Sequence, residues 1–338
     1  MNPSTSTSGH PSESDPPKQA MNLIYDPIVL QHDTGIHPEN ARRFHVFDSI
    51  PKIEVMDGAP FLPLVHNPGY IRRVKAACEY GKSLDGDTPT SPGSFEAARY
   101  AVGATIQAAE TGGFALVRPP GHHAYPNRAN GFCLFNNVAV ATQKLVEEGK
   151  RVAIFDFDGH MGDGTSEIFY HTDQVLFWSI HQYPAYPGHG FVDEIGVGKG
   201  KGFNINVPLP PGSGDDILKE TLDYFLPVIK QFQPDVLALS AGFDAHHRDM
   251  LLDLQASVNF YYKLGQRLRE DFDNIFATLE GGYSVSDMPK CMYNFLAGMN
   301  GLEMPYYEPP TNSGMRVWET YEIYAHAVMG NLRHYWKF

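Results

Sequence analysis

Asp156, Asp158, His160 and Asp163 crowd the end of an apolar run, Val152–Phe155, in the stretch VAIFDFDGHMGDG. Charged groups in a low-dielectric interior are costly unless something pairs with them. Alternate residues of an extended segment point the same way, so Asp156, Asp158 and His160 can aim at one spot, as metal ligands do. Asp244, in SAGFDAHH, follows a second apolar run, Asp235–Ser240. One imidazole and two carboxylates, His160, Asp158 and Asp244, give Zn²⁺ three protein ligands and leave a position open for water. The same oxygen-rich set also suits Fe²⁺ or Mn²⁺. An Asp-x-His pair alone describes an ordinary hydrogen-bonded loop. Asp244 and a pair of tandem histidines turn the reading toward metal.

Those histidines are His122 and His123, in RPPGHHA. Two imidazoles beside a metal-activated water can act as general base and general acid, each tuned by a carboxylate on its far nitrogen. Asp156 and Asp163 are the available partners. Tyr283, in LEGGY, follows two glycines that let a loop approach a ligand closely. Its phenol could donate to a carbonyl oxygen carrying developing charge, although a tyrosine packed at a turn has the same sequence. Phe132 and Tyr186 suit an apolar slot for a methylene chain or ordinary packing equally well.

Something must bring these dispersed segments together. Apolar runs at Asn22–Tyr25, Phe114–Val117, Val152–Phe155, Val175–Ile180, Asn204–Val207, Asp235–Ser240 and Ile275–Leu279 read as strands, with helical periodicity between them. That alternation predicts an α/β fold with a parallel sheet covered on both faces. Ligands of such sheets bind outside the carboxyl ends of the strands, where GHH, DFDGH, GFDAHH and EGGY all fall. Ser94 is expected to cap a helix reaching Glu110. The stretch His32–Arg43, with its histidines, Pro38 and charges, reads as a surface loop. Residues 1–20 are rich in Ser, Pro and Thr and read as a disordered tail; residues 21–338 read as a single domain.

The chain has 26 basic and 39 acidic residues, a formal charge of −13. That balance argues against a nucleic-acid partner. It attracts cationic ligands, or simply keeps the protein soluble. Three cysteines without paired spacing predict no disulfide framework and a reducing compartment. No apolar run approaches the roughly 20 residues that span a bilayer, and no secretory signal is visible. The expectation is a cytoplasmic protein with no membrane partner.

Taken together, RPPGHHA, GFCLFNNVAVA, DFDGHMGDGT, SAGFDAHHRD and LEGGY resemble the zinc-dependent histone deacetylase superfamily, which includes acetylpolyamine amidohydrolases and acetoin-utilisation proteins. The resemblance runs from the HPE at 37–39 to Tyr283. It implies the arginase–deacetylase fold, with a central, mostly parallel eight-stranded sheet between helices. It implies one Zn²⁺ per chain on Asp158, His160 and Asp244, and the acid–base pair His122 and His123 backed by Asp156 and Asp163. Tyr283 would polarise the acyl carbonyl. Phe132 and Tyr186 would wall the substrate tunnel, with Gly131 and Leu251 also lining it, and Asp87 would grip substrate at the rim. Asp156 and Ser179 would help hold a structural potassium ion. The implied activity is removal of acetyl or related acyl groups from lysine-like primary amines, in acetylated peptides, proteins or small amines. The alternatives are an acetylpolyamine amidohydrolase, a manganese ureohydrolase and a non-catalytic acyl-lysine binder.

The chain departs from the family pattern at Met161, where a second histidine is common, and at Ala41 and Met250, where prolines are common. The short stretch between Tyr80 and Ser94, and Leu251 in place of a glutamate, favour an open site and an acyl-lysine over an acetylpolyamine. Neither the oligomeric state nor the role of the tail is legible.

Overall fold

The computed structural model describes residues 18–338. The tail expected at 1–20 therefore lies mostly outside the described residues. Its last members are docked: the Gln19 side chain donates to the Thr111 carbonyl at 2.7 Å.

Strands that are apolar on both faces need cover on both faces, and the sheet is built of such strands. They are β1 (Leu23–Ile24), β2 (Phe114–Ala115), β3 (Val152–Asp156), β4 (Val175–Gln182), β5 (Asn204–Leu209), β6 (Val236–Ala241) and β7 (Ile275–Leu279). They pair in the order β1-β2-β7-β6-β3-β4-β5, every pair parallel. The helices are α1 (Pro68–Glu79), α2 (Ser94–Thr111), α3 (Asn137–Glu147), α4 (Asp163–Phe169), α5 (Asp215–Phe232), α6 (Val258–Asp271), α7 (Met288–Asn300) and α8 (Met315–Leu332). No helix among the described residues is long and apolar enough to cross a membrane.

The strand order explains where a site must form. From β3 the chain moves outward through β4 to β5, then returns as β6 on the other side of β3. The crevice where the order reverses is the usual ligand position of an open α/β sheet. Asp158 and His160 follow β3 and Asp244 follows β6, so both strands deliver charge to the same switch point.

Three expectations are corrected. Seven strands pair among the described residues, not eight. At one end β5 lies against α8; at the other, Pro27 opens a 3-10 turn soon after β1. Ser94 is not a cap. It is the first residue of α2, and Gly93 precedes it. The Ser94 hydroxyl instead accepts the Ser91 N–H at 2.8 Å and meets His32 Nδ1 at 2.7 Å.

The third correction concerns His32–Arg43, which is a surface loop only in part: Asp33, Gly35, Ile36 and Arg42 are exposed, but the rest turns inward. His32, Glu39 and Arg43 are buried, and the 3-10 turn Ala41–Phe47 buries Phe44 and Phe47 beside them. Arg118 grips both Glu39 oxygens at 2.8 Å, and Arg43 reaches the same carboxylate at 3.2 Å. Polar character reads as exposure only when charges lack partners; here Glu39 pairs with both arginines, and backbone carbonyls take their remaining donors. The network also reaches the site, because Arg43 donates to the carbonyls of Gly282 (2.7 Å) and Glu280 (3.0 Å). Arg43 thus pins the turn that carries Tyr283.

Two buried histidines away from the strand-end cluster predict acid sensitivity. Burial lowers His32 and His66 to about 4. His66 accepts the Asn136 N–H on Nε2 at 2.9 Å, so a proton there would break a buried bond. Each folded pKa lies below the unfolded value. The unfolded state therefore binds more protons, and stability falls as pH drops from about 6.5 toward 4. At pH 5 the loss is about 2 kcal/mol per histidine, a combined fall in Tm of roughly 6 °C relative to pH 7.5. Thermal melts across that window check this; an unchanged Tm would refute it.

Candidate active site

Backbone amides, not only side chains, shape the strand-end cluster. Asp158, His160 and Asp244 are all buried, and one ligand atom from each lies within 4.8 Å of the others. His160 Nδ1 stands 2.7 Å from Asp244 Oδ2 and 3.3 Å from Asp158 Oδ1. Asp244 Oδ1 accepts the Gly159 N–H and Asp158 Oδ2 accepts the Gly281 N–H, both at 2.7 Å. A Cβ on Gly281 would sit 2.6 Å from Asp158 Oδ2 and 2.7 Å from Asp244 Oδ2, so the approach requires glycine.

The electrostatics show a demand for positive charge. Burial lifts Asp244 above the usual carboxylate range, and Asp158 adds to it. Burial also works to raise Asp158, but His122 and His160 outweigh it and hold it low. On His160 burial works against charge, yet Asp244 and Asp158 raise it to about 10. A proton on His160 thus supplies charge where a cation would. One imidazole with two carboxylates fits a Zn²⁺ set with an open position.

Two other groups share that spacing, His122–Cys133–Glu280 and His246–His247–Glu308. Both have internal explanations. Glu280 accepts the amides of Gly121 (2.6 Å) and His122 (3.1 Å). Glu308 pairs with His246 Nε2 and accepts the Val258 N–H, each at 3.0 Å.

The tandem histidines lie beside the cluster, ring centroids 4.0 Å apart and planes tilted by 45°. His122 Nδ1 lies 3.1 Å from Asp156 Oδ2, and His123 Nδ1 lies 2.7 Å from Asp163 Oδ1. Each carboxylate fixes its ring with Nε2 left over. Burial opposes charge on His122, but Asp158, Asp156 and Glu280 hold it well above its ordinary value. Burial and the neighbouring His122 push His123 down to about 4, against Asp163. The two rings are thus pushed in opposite directions by their surroundings.

Phe132 and Tyr186 pack against different members of the cluster. The Phe132 ring lies 5.7 Å from Tyr283, edge to face, and Tyr186 lies 5.2 Å from His123. The Phe132 amide donates to Thr88 at 3.3 Å, tying that wall to the rim turn that holds Asp87. Burial and neighbouring Asp85 raise the Asp87 pKa. Leu251 is partly exposed at the mouth, while Leu252 turns inward against Gly159. Gly131 has φ +48°, and a Cβ there would meet His123 Cδ2 at 2.5 Å and Tyr186 Cε1 at 3.0 Å. Gly131→Ala is therefore expected to displace the His123 ring and lower kcat/KM by about 10²-fold, the cost of misplacing a reacting group by about 1 Å. Steady-state kinetics on protein whose fold is checked by circular dichroism would show it; wild-type rates would contradict the contact.

Asp156 and Ser179 are register partners on β3 and β4. His181 Nε2 faces the Gly190 carbonyl at 2.9 Å, so its Nδ1 accepts the Ser179 O–H at 2.9 Å. That leaves the Ser179 oxygen lone pairs available. Met161 is buried; its Cγ and the His181 ring both lie about 2.5 Å from where a Gly190 Cβ would stand. Its side chain fills apolar space against that loop and takes no part in the cluster.

Residue types alone miss several members. Tyr125 and Asn130 are two of them, donating to Asp163 Oδ2 at 2.8 Å and 2.9 Å. Glu280 ends an apolar strand just as Asp156 does, and that placement is the signal that could have marked it. Asp249 accepts the Tyr283 N–H at 2.6 Å and the Ser284 N–H at 3.1 Å, a contact across 34 residues that no local pattern announces.

Comparison with known proteins bears on family and fold. Residues 38–299 match the model of the histone deacetylase domain. A protein of Archaeoglobus fulgidus named "Probable deacetylase" is 39% identical over 319 residues, covering 86% of this chain and 89% of its own. The histone deacetylase-like amidohydrolase of Pseudomonas aeruginosa is 35% identical over 262 residues, covering 72% and 69%. Among solved structures, the HDA15 HD domain superposes with a TM-score of 0.83 at 28% identity, over 94% of this chain and 95% of that one.

Proposed function

The chain belongs to the histone deacetylase family, and from that premise we propose that it hydrolyses acetyl or related acyl groups from lysine-like primary amines. The observation that best supports this is a set of unused polar groups around one cluster. His122 Nε2, His123 Nε2 and the Tyr283 hydroxyl have no hydrogen-bond partner among the described residues, although all three residues are buried.

In this reading Asp158, His160 and Asp244 hold one zinc ion, which when bound polarises the acyl carbonyl and acidifies water. The substrate's methylene chain passes between Phe132 and Tyr186, with Gly131 and Leu251 completing the lining and Asp87 gripping the backbone at the rim. His123, oriented by Asp163, takes the proton of the attacking water on Nε2 and returns it to the leaving nitrogen. His122, backed by Asp156, keeps positive charge beside the reacting carbon. Tyr283 donates its hydroxyl hydrogen to the carbonyl oxygen as negative charge develops there. A potassium ion on Asp156 and Ser179 would brace the strand end beneath His122. Acetate and a free ammonium group leave.

Turnover tests the proposal directly. An acetyl-lysine peptide should release acetate, lose that activity on chelation and regain it with Zn²⁺, with an acetylated polyamine a poorer substrate. Peptide binding without acetate release would instead make the chain a binding module. Full turnover by metal-stripped protein would defeat the mechanism.

A further inference from the structure

The two histidine–aspartate pairs are not held alike. Asp156 turns Oδ2 to His122 and receives a backbone donor, the Asp158 N–H, on Oδ1 at 3.1 Å. Asp163 opens α4. Among the described residues its backbone donor is the Gly164 N–H, which falls on Oδ1, the oxygen already facing His123. Its Oδ2 is served by side chains instead: the Tyr125 hydroxyl at 2.8 Å and the Asn130 amide at 2.9 Å. The last torsion of an aspartate side chain has broad preferences. Bonds to one oxygen therefore leave the carboxylate plane loosely set, and donors on the second oxygen fix it.

Tyr125 is buried and is itself held at two points. Its carbonyl accepts His66 Nδ1–H at 3.1 Å, and the Arg128 guanidinium covers its ring, 3.6 Å from the centroid. Burial, with Asp163 adding to it, raises the phenol above its ordinary pKa, so the hydroxyl keeps its hydrogen and donates. The neighbouring backbones are joined without that hydroxyl. The Thr165 N–H donates to the His122 carbonyl at 3.0 Å, and the Asn136 side chain donates to the Ala124 carbonyl at 3.2 Å. What the Tyr125 hydroxyl adds is the aim of one carboxylate.

We propose that Tyr125 is a positioning residue: its hydroxyl, seconded by Asn130, holds the Asp163 carboxylate so that Oδ1 keeps the His123 ring in its place beside His160, 6.2 Å between ring centroids. The effect on rate rests on the deacylase reading above; the effect on the ring does not.

Tyr125→Phe removes the hydroxyl and keeps the ring beneath Arg128. On an acetyl-lysine peptide kcat should fall by about tenfold, the lower end of the cost of losing an outer partner, because Asn130 still holds the carboxylate. KM and metal per chain should stay within about twofold of wild type. In an Asp163→Ala background the same substitution should cost almost nothing, because the group through which it acts is gone. An equal loss in both backgrounds, no loss in wild type, or a raised KM at unchanged kcat overturns the proposal. Proton NMR reads the ring without substrate. The His123 Nδ1–H should give a downfield resonance that His123→Ala removes. Tyr125→Phe should move that resonance and leave the one from His122 Nδ1–H in place; a His123 resonance that stays put also overturns the proposal. If no peptide is turned over, the deacylase reading falls, and this resonance alone decides the role of Tyr125.

Discussion

Tyr283→Phe is expected to lower kcat on an acetyl-lysine peptide by about 10²–10³-fold, the usual cost of one oxyanion donor, with metal content unchanged. The expectation comes from how the residue is held. The ring lies under the Arg43 guanidinium, 5.1 Å from its centroid, and edge-on to Phe132 at 5.7 Å. Its amide is fixed by Asp249 at 2.6 Å. None of these contacts uses the hydroxyl. Removing that oxygen should therefore leave the ring, the turn and the neighbouring ligands in place, and subtract only a donor. Burial, with Asp158 and Asp244 adding to it, raises the phenol well above its ordinary pKa, so the hydroxyl keeps its hydrogen across the working range. A variant with normal turnover would remove Tyr283 from the chemistry. One that lost metal would show that the substitution disturbed the cluster instead.

Asp244→Asn should be more damaging still. Its Oδ1 accepts the Gly159 amide and its Oδ2 faces His160 Nδ1, each at 2.7 Å. An asparagine preserves the shape and can keep the first contact. It removes a full negative charge from the donor set, and its amide nitrogen cannot replace a carboxylate oxygen as a ligand. Loss of even an outer partner typically costs 10–100-fold in metal affinity, so a lost ligand should exceed that. We expect metal per chain to fall to near zero after dialysis and activity to fall by at least about 10³-fold. Elemental analysis of folded variant alongside wild type would decide. Full metal retention would mean that Asp244 is not a ligand and that the cluster holds its cation differently.

Much of the candidate site is legible in the amino-acid sequence. Asp158, His160, His122 and Tyr283 lie just beyond apolar runs, and burial there leaves a charged or tandem polar group few uses besides binding. The alternation of strands and helices likewise implies a parallel sheet with its site at the carboxyl ends. Those inferences need only local periodicity and the cost of an unpaired charge.

Tertiary structure alone decides the rest. His32–Arg43 reads wholly as surface because its one local ion pair, Glu39 with Arg43, gives no sign of burial; Arg118 completes the pairing from 79 residues away. The pairing of β3 with both β4 and β6 places Asp244 beside Asp158, and strand order is a property of long-range hydrogen bonding, not of any window of residues. Met161 is anomalous beside a candidate metal ligand when only its neighbours in the chain are considered; in the fold it packs against the His181 loop. The residue types state what chemistry is possible. Which carboxylate faces which imidazole depends on the close approach of segments distant in sequence.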